Sequence, residues 1–191
     1  MTIAFTTTLP LQGFRRLSPD AFTLVMPEDG RPVACPEAEV LVSTFDYRVT
    51  REMIESMPHL RLIANFGAGF NNIDLDACRE RRIRVTNTPQ PVIEPTAELA
   101  FALMIDVARR VSEFDRAIRK GIGQPMTVMN NLSHSLYGKT LGIIGMGRIG
   151  QALARRAFAS GMRILYHNRH RLPEATEAAY QAQYVDFQTL L

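Results

Sequence analysis

A glycine pattern lies between two apolar segments, in the order Lys139-Thr-Leu-Gly-Ile-Ile-Gly145-Met-Gly147-Arg-Ile-Gly150. This order predicts a strand, a turn and a helix over 151–160, the context in which G-x-G-x-x-G binds the pyrophosphate of a dinucleotide. Gly145 makes the turn, Gly147 admits the phosphates and Gly150 lets the helix pack on the strand, while unpaired N–H groups at the helix N-terminus attract the anion. We assign cofactor binding to these glycines and to Arg148 and Ile149 between them; the alternative is a glycine turn without a ligand.

The next predicted strand, residues 162–167, decides which dinucleotide is favoured. An NAD site usually has a carboxylate at the end of this strand for the ribose 2′-hydroxyl. Here the chain reads Tyr166-His-Asn-Arg-His-Arg171, and the next carboxylate is Glu174. Asn168 is neutral and would not repel a 2′-phosphate, and the positive charge of Arg169 would attract it. Arg171 is a second candidate contact. We therefore expect NADP rather than NAD; the alternative is an ordinary solvated turn.

A second glycine loop, Gly67-Ala68-Gly69, follows an apolar segment. Two glycines in such a loop expose backbone N–H groups that can form a concave anion site. Asp74, a few residues later, is placed to cap the next helix.

Four motifs occur in an order that resembles the D-isomer-specific 2-hydroxyacid dehydrogenases, nearest to the glyoxylate and hydroxypyruvate reductase branch. They are the two glycine segments and, between them, Arg84-Val-Thr-Asn-Thr-Pro89 and Thr96-Ala-Glu-Leu-Ala100. The resemblance runs from about residue 40 to the end. It implies hydride transfer between a nicotinamide cofactor and a small 2-keto or 2-hydroxy acid. It also implies that Ala68 and Gly69 bind the substrate carboxylate, that Thr96 lies near the nicotinamide, and that a homodimer forms through the cofactor domain.

The same resemblance implies catalytic groups on later segments, an Arg in an Ala-Arg-Gly segment, a Glu beyond it and a His in a Pro-His segment near the C-terminus of those enzymes. These 191 residues contain none of those segments, so we assign no catalytic residue here and expect this truncated chain to be inactive by itself. A non-catalytic dinucleotide-binding module or pseudoenzyme remains the alternative. The histidines are expected to be ordinary surface or loop residues: His59, His134, His167 and His170.

Composition favours a cytoplasmic protein without membrane or nucleic-acid partners, because the formal net charge is only +3 and no long apolar segment occurs. Cys35 and Cys78 are predicted to be free thiols, Cys78 on the buried face of a helix. No His, Cys, Asp or Glu spacing indicates a metal site.

Alternating strand and helix patterns predict an α/β protein with parallel sheets. We expect a flavodoxin-like substrate domain over residues 1–93 and an incomplete Rossmann cofactor domain over 94–191. The helix that opens the second domain is expected to reach Lys120 and, being apolar almost all round from Ala97 to Ala108, to be buried between layers or between subunits. Strands are predicted over 3–7, 22–25, 40–43, 60–64 and 84–86, and helices over 50–56 and 75–82.

Overall fold

The computed structural model describes residues 1–9, 21–27, 35–123 and 129–191. The chain divides into two compact units, Met1–Gln90 and Pro91–Leu191. This division falls three residues before the boundary expected from the sequence.

The first unit is a five-stranded parallel sheet in the order β2-β1-β3-β4-β5, which is the flavodoxin-like order. The predicted α/β architecture is thus confirmed. Its strands and helices are β1 Thr2–Phe5, β2 Thr23–Val25, β3 Val40–Thr44, α1 Arg51–Glu55, β4 Leu62–Phe66, α2 Leu75–Glu80 and β5 Arg84–Asn87.

Side-chain caps define where the two helices of this unit begin. Thr50 accepts a hydrogen bond from the Met53 N–H, and Asp74 accepts one from the Ala77 N–H at 2.8 Å, as predicted for Asp74. The core of the sheet includes Leu41, Ile54 and Ile63, all fully buried. Cys35 and Cys78 are free and buried, Cys78 in α2 as expected.

The second unit contains a three-stranded parallel sheet in the order β6-β7-β8, which matches one half of a doubly wound dinucleotide-binding sheet. Tyr166, Met146 and Ile164 lie in its core. Its elements follow a 3₁₀ turn at Gln90–Val92 and are α3 Ile93–Arg109, α4 Val111–Arg119, β6 Thr140–Ile144, α5 Arg148–Ala159, β7 Arg163–His167, α6 Glu174–Tyr180, β8 Ala182–Tyr184 and α7 Phe187–Leu190.

The prediction of a single helix that reaches Lys120 is wrong, because the helix is interrupted at Arg110. This residue has a left-handed φ of 59°, and its N–H still bonds to the Asp106 carbonyl. The Asp106 carboxylate then accepts hydrogen bonds from the backbone N–H and the hydroxyl of Ser112, at 2.7 and 2.8 Å. A side chain near the end of α3 therefore satisfies donors at the start of α4 and stabilises the break.

The expected burial of α3 within its own chain is also wrong. Ala97 is the only buried residue of this helix, whereas Leu99, Leu103 and Val107 are 61%, 54% and 78% exposed. These three residues are spaced by four and share one helix face. Burial between subunits stays a prediction.

Candidate functional site

The glycine turn after β6 has the backbone geometry that its sequence predicts. Gly145 has φ +88°, a backbone conformation that residues other than glycine rarely adopt. Its N–H donates to the His167 carbonyl at 2.9 Å, and the Gly147 N–H turns back to the Gly145 carbonyl at 2.9 Å. The turn is thereby attached to the end of β7 and opens directly into α5.

The first turn of α5 leaves backbone donors free. Gln151 is the first residue whose N–H bonds back along the helix, to the Gly147 carbonyl at 2.8 Å. Within the described ranges, the N–H groups of Arg148, Ile149 and Gly150 have no acceptor. Three donors at the positive end of a twelve-residue helix form an anion site that fits a pyrophosphate.

Gly150 is required for a different reason, the contact between helix and turn. A Cβ built at this position would lie 2.8 Å from the Gly145 carbonyl oxygen and 3.3 Å from the Ile143 side chain. At Gly147, by contrast, a Cβ would meet nothing within 4 Å. The space beside Gly147 is therefore free for a ligand to approach the backbone.

The loop between β7 and α6, residues 168–173, carries the residues expected at the ribose. The side-chain Oδ1 of Asn168 accepts a hydrogen bond from the Met146 N–H at 2.6 Å, and Arg169 is exposed next to it. Along the chain, the first carboxylate after this strand is Glu174. Arg171 differs from expectation, because its Nε and Nη2 groups donate to the Glu177 carboxylate, at 2.9 and 2.7 Å. The candidate phosphate contact therefore narrows to Arg169.

Glu177 is a further functional candidate that sequence reasoning missed. It lies on α6 with only 8% of its surface exposed. The hydrogen bonds from Arg171 and Tyr166 lower the pKa of its carboxyl to about 2. The pKa of the Tyr166 hydroxyl is raised by burial and by this neighbouring carboxylate. Nothing in the local sequence distinguishes Glu177 from the exposed Glu174 one turn earlier on the same helix.

The second glycine loop follows β4 in the first unit, and its carbonyl groups are held by two asparagines. Asn65 Nδ2 donates to the Gly69 carbonyl and Asn87 Nδ2 donates to the Ala68 carbonyl, each at 2.7 Å. The Gly67 N–H donates to the Thr88 hydroxyl at 3.0 Å. Nowhere in the described chain is there an acceptor for the N–H groups of Ala68 and Gly69, so these two donors are available to an anion.

The roles of Asn65 and Asn87 were not predicted from the sequence. Asn65 is 2% exposed, and a buried amide needs hydrogen-bond partners. A polar residue near the carboxyl end of an otherwise apolar strand was the available signal. Thr96, the other residue assigned from the resemblance, is exposed in the first turn of α3.

Among the residues that the structure describes, none of the four histidines bonds to a carboxylate. His167 bonds through Nδ1 to the Val185 carbonyl at 3.0 Å and stacks on Tyr184. Over the described residues, no group of three His, Cys, Asp or Glu side chains is arranged to bind a metal ion. In the same residues, no helix has the length and apolar character needed to cross a bilayer.

Comparison with known families agrees with this geometry. Residues 20–186 match the model of the D-isomer specific 2-hydroxyacid dehydrogenase, catalytic domain. The chain belongs to the D-isomer specific 2-hydroxyacid dehydrogenases. The resemblance inferred from the four motifs is thus confirmed.

Individual members of this dehydrogenase family show how far the likeness extends. The chain is 46% identical over 159 residues to a glyoxylate reductase of Thermococcus litoralis, covering 81% of this chain and 48% of that protein. The TT0316 protein of Thermus thermophilus superposes over the whole chain and 61% of its own, with a TM-score of 0.83 and 36% identity. A D-lactate dehydrogenase of Aquifex aeolicus, solved with NAD and lactic acid, gives a TM-score of 0.82 at 25% identity over 100% of this chain and 57% of its own.

The chain spans about half the length of the glyoxylate reductase that it matches. The dehydrogenase family and the parallel α/β fold are therefore established for these residues.

Proposed function

We propose that this protein reduces small 2-keto acids with a nicotinamide dinucleotide, as a reductase of the glyoxylate or hydroxypyruvate type. The observation that carries the proposal is the set of three acceptor-free N–H groups at the start of α5, on Arg148, Ile149 and Gly150. They are placed beside the Asn168 end of β7, where a dinucleotide's ribose would follow its pyrophosphate. The glyoxylate reductase relative supports the substrate class.

Two groups of backbone donors divide the binding work. The α5 amides hold the pyrophosphate, and Thr96 lies toward the nicotinamide end. The Ala68 and Gly69 amides bind the carboxylate of the keto acid. The Gly67 carbonyl accepts the Thr88 N–H at 2.9 Å and the Ala68 carbonyl accepts Asn87 Nδ2, so the two peptide planes that carry these N–H groups are both held. Such fixed donors orient the substrate without the cost of reorganising side chains.

The bound dinucleotide supplies the hydride. We assign no residue of this chain as the proton donor or as the group that polarises the substrate carbonyl. The resemblance places both groups on segments that these 191 residues do not contain. We therefore expect residues 1–191 expressed alone to show no turnover of glyoxylate. The rate-enhancing electrostatic and acid–base contributions would be missing.

We further propose a preference for NADPH over NADH. Asn168 presents a neutral side chain where an NAD enzyme has a carboxylate, so a 2′-phosphate meets no negative charge. Arg169 is exposed beside it, with no acceptor among the residues that the structure describes. A guanidinium in this position can bind the phosphate with charge-assisted hydrogen bonds.

The test is to measure the dissociation constants of NADPH and NADH for the full-length protein, together with oxidation of each by glyoxylate and hydroxypyruvate. Arg169→Ala should weaken NADPH binding by about 1.5–3 kcal/mol and leave NADH binding nearly unchanged. Arg61→Ala is the control, since that side chain is 81% exposed in the other unit. Equal loss for both cofactors would contradict the phosphate contact.

A homodimer through the second unit is also proposed, using the α3 face formed by Leu99, Leu103 and Val107. Side chains this apolar and this exposed are characteristic of the buried centre of an interface. Leu103→Glu in the full-length protein should shift the sedimentation profile toward monomer. An unchanged profile would contradict this interface.

A further inference from the structure

The β7–α6 loop is fastened to the sheet by a buried tyrosine. Tyr166 on β7 is fully buried. Its hydroxyl donates to Glu177 Oε1 at 2.6 Å and accepts the Leu172 N–H at 2.9 Å. One hydroxyl thus connects the strand that enters the loop, the residue at which the loop returns, and the following helix.

Glu177 adds a second fastening point on the same side. Its two carboxylate oxygens accept hydrogen bonds from Nε and Nη2 of Arg171, at 2.9 and 2.7 Å. This bidentate geometry restricts both side chains. The lowered pKa of this carboxyl keeps it charged at neutral pH. Arg171 is consequently held by Glu177 through these two hydrogen bonds.

The other end of the loop is attached to the glycine turn through the Asn168–Met146 hydrogen bond of 2.6 Å. Between these two attachments stand Arg169 and His170, whose side chains are exposed. The backbone that carries Arg169 is therefore restrained on both sides, while the guanidinium itself remains available.

We propose that Tyr166 and Glu177 are positioning residues for cofactor selectivity: they hold the β7–α6 loop so that Arg169 meets the 2′-phosphate, and neither contacts the nucleotide. The inference rests on the proposed NADPH preference. A side chain whose backbone is already ordered loses less conformational freedom on binding, so the restraint increases affinity only for the ligand that Arg169 contacts.

Two variants separate this role from general packing. Tyr166→Phe keeps the buried ring, which packs edge-on against Tyr184 with ring centres 5.5 Å apart, and removes only the hydroxyl. Glu177→Gln keeps the shape and removes the charge. Tyr184→Phe is the matched control, because across the described residues its hydroxyl has no hydrogen-bond partner.

The experiment titrates the full-length protein and each variant with NADPH and with NADH. Tyr166→Phe and Glu177→Gln should each raise the NADPH dissociation constant several-fold, leave that of NADH within experimental error, and so lower the selectivity; Tyr184→Phe should change neither. Combining Tyr166→Phe with Arg169→Ala should give no further loss beyond Arg169→Ala, because both changes act through one contact.

Each other outcome overturns the inference. If the ratio of NADPH to NADH affinity is unchanged, or if both affinities fall in parallel, Tyr166 and Glu177 contribute only to packing. If Glu177→Gln binds NADPH more tightly, Glu177 instead prevents Arg171 from binding the phosphate. Should Tyr166→Phe fail to fold, Glu177→Gln alone decides. If the unmodified protein does not prefer NADPH and Arg169→Ala leaves the ratio unchanged, the proposed cofactor preference itself fails. Selectivity that is present but insensitive to Tyr166 and Glu177 refutes the positioning role alone.

Discussion

The side-chain oxygen of Asn168 accepts a hydrogen bond from the backbone N–H of Met146 at 2.6 Å. This contact joins the end of β7 to the glycine turn that precedes α5. It places the residue expected to face the adenosine ribose next to the expected pyrophosphate site. Because an amide oxygen makes the contact, the junction is formed without a negative charge.

Asn168→Asp tests the importance of that missing charge. A carboxylate oxygen can still accept the Met146 N–H, but the added charge repels a 2′-phosphate and can accept a hydrogen bond from a 2′-hydroxyl. We expect the ratio of NADPH to NADH affinity to fall by roughly tenfold or more, equivalent to about 1.4 kcal/mol. Isothermal titration of both cofactors measures it, with the exposed Asn130→Asp as charge-matched control. A ratio unaffected by Asn168→Asp would refute our interpretation of this position.

Gly69→Val tests the proposed carboxylate loop. A Cβ at Gly69 meets nothing within 4 Å, and the residue is absent from the positive-φ glycines, so the fold should tolerate the substitution. The added side chain should obstruct the substrate carboxylate and raise the Michaelis constant for glyoxylate, with dinucleotide affinity unchanged. Steady-state kinetics and cofactor titration of the full-length protein distinguish the two effects.

Gly67→Ala is the structural counterpart of that experiment. Its Cβ would lie 2.7 Å from the Phe45 Cβ, closer than packed carbon atoms allow. We expect a loss of about 1–3 kcal/mol in the free energy of unfolding, measured by urea denaturation. If Gly69→Val is the less stable of the two variants, our account of the loop is wrong.

Gly147→Ala should weaken cofactor binding, whereas Gly150→Ala should reduce the stability of the fold. At Gly150 a Cβ stands 2.8 Å from the Gly145 carbonyl oxygen, so alanine should reduce stability by about 1–3 kcal/mol. At Gly147 the space is open, so stability should change by less than about 0.5 kcal/mol, while the methyl group obstructs the pyrophosphate and weakens both cofactors. Thermal unfolding and cofactor titration of each variant give the comparison. A stable Gly150→Ala protein would disprove the close contact.

Acid should weaken the fold through Glu177. The folded-state pKa of this carboxyl is lowered from 4.5 to about 2 by Arg171 and Tyr166, so its stabilising contribution is complete above pH 4.5 and is lost as pH falls toward 2. The difference in unfolding free energy between the unmodified protein and Glu177→Gln should therefore shrink over that interval. Denaturation at a series of pH values measures it, and Glu174→Gln, an exposed position on the same helix, is the control. A difference that stays constant from pH 6 to 2 would exclude this linkage.

The sequence by itself determined the features that depend on residue type and short spacing. Gly145 makes a tight turn, Asp74 caps α2, and strand and helix patterns alternate along the chain. The two glycine turns and the α/β class could therefore be predicted from residue order alone. The family followed from the same motifs. The absence of a carboxylate after β7 was equally a matter of which residues follow one another.

The tertiary structure decided which polar groups are already occupied. Arg169 and Arg171 look equivalent in sequence, but Arg171 is bound by Glu177, six residues away on α6. The carbonyls of Ala68 and Gly69 are held by asparagines on two neighbouring strands, a pairing set by the sheet register. The break at Arg110 likewise depends on hydrogen bonds between residues of two helices. A hydrogen bond depends on distance and direction in space, and local order along the chain specifies neither until the strands and helices have packed.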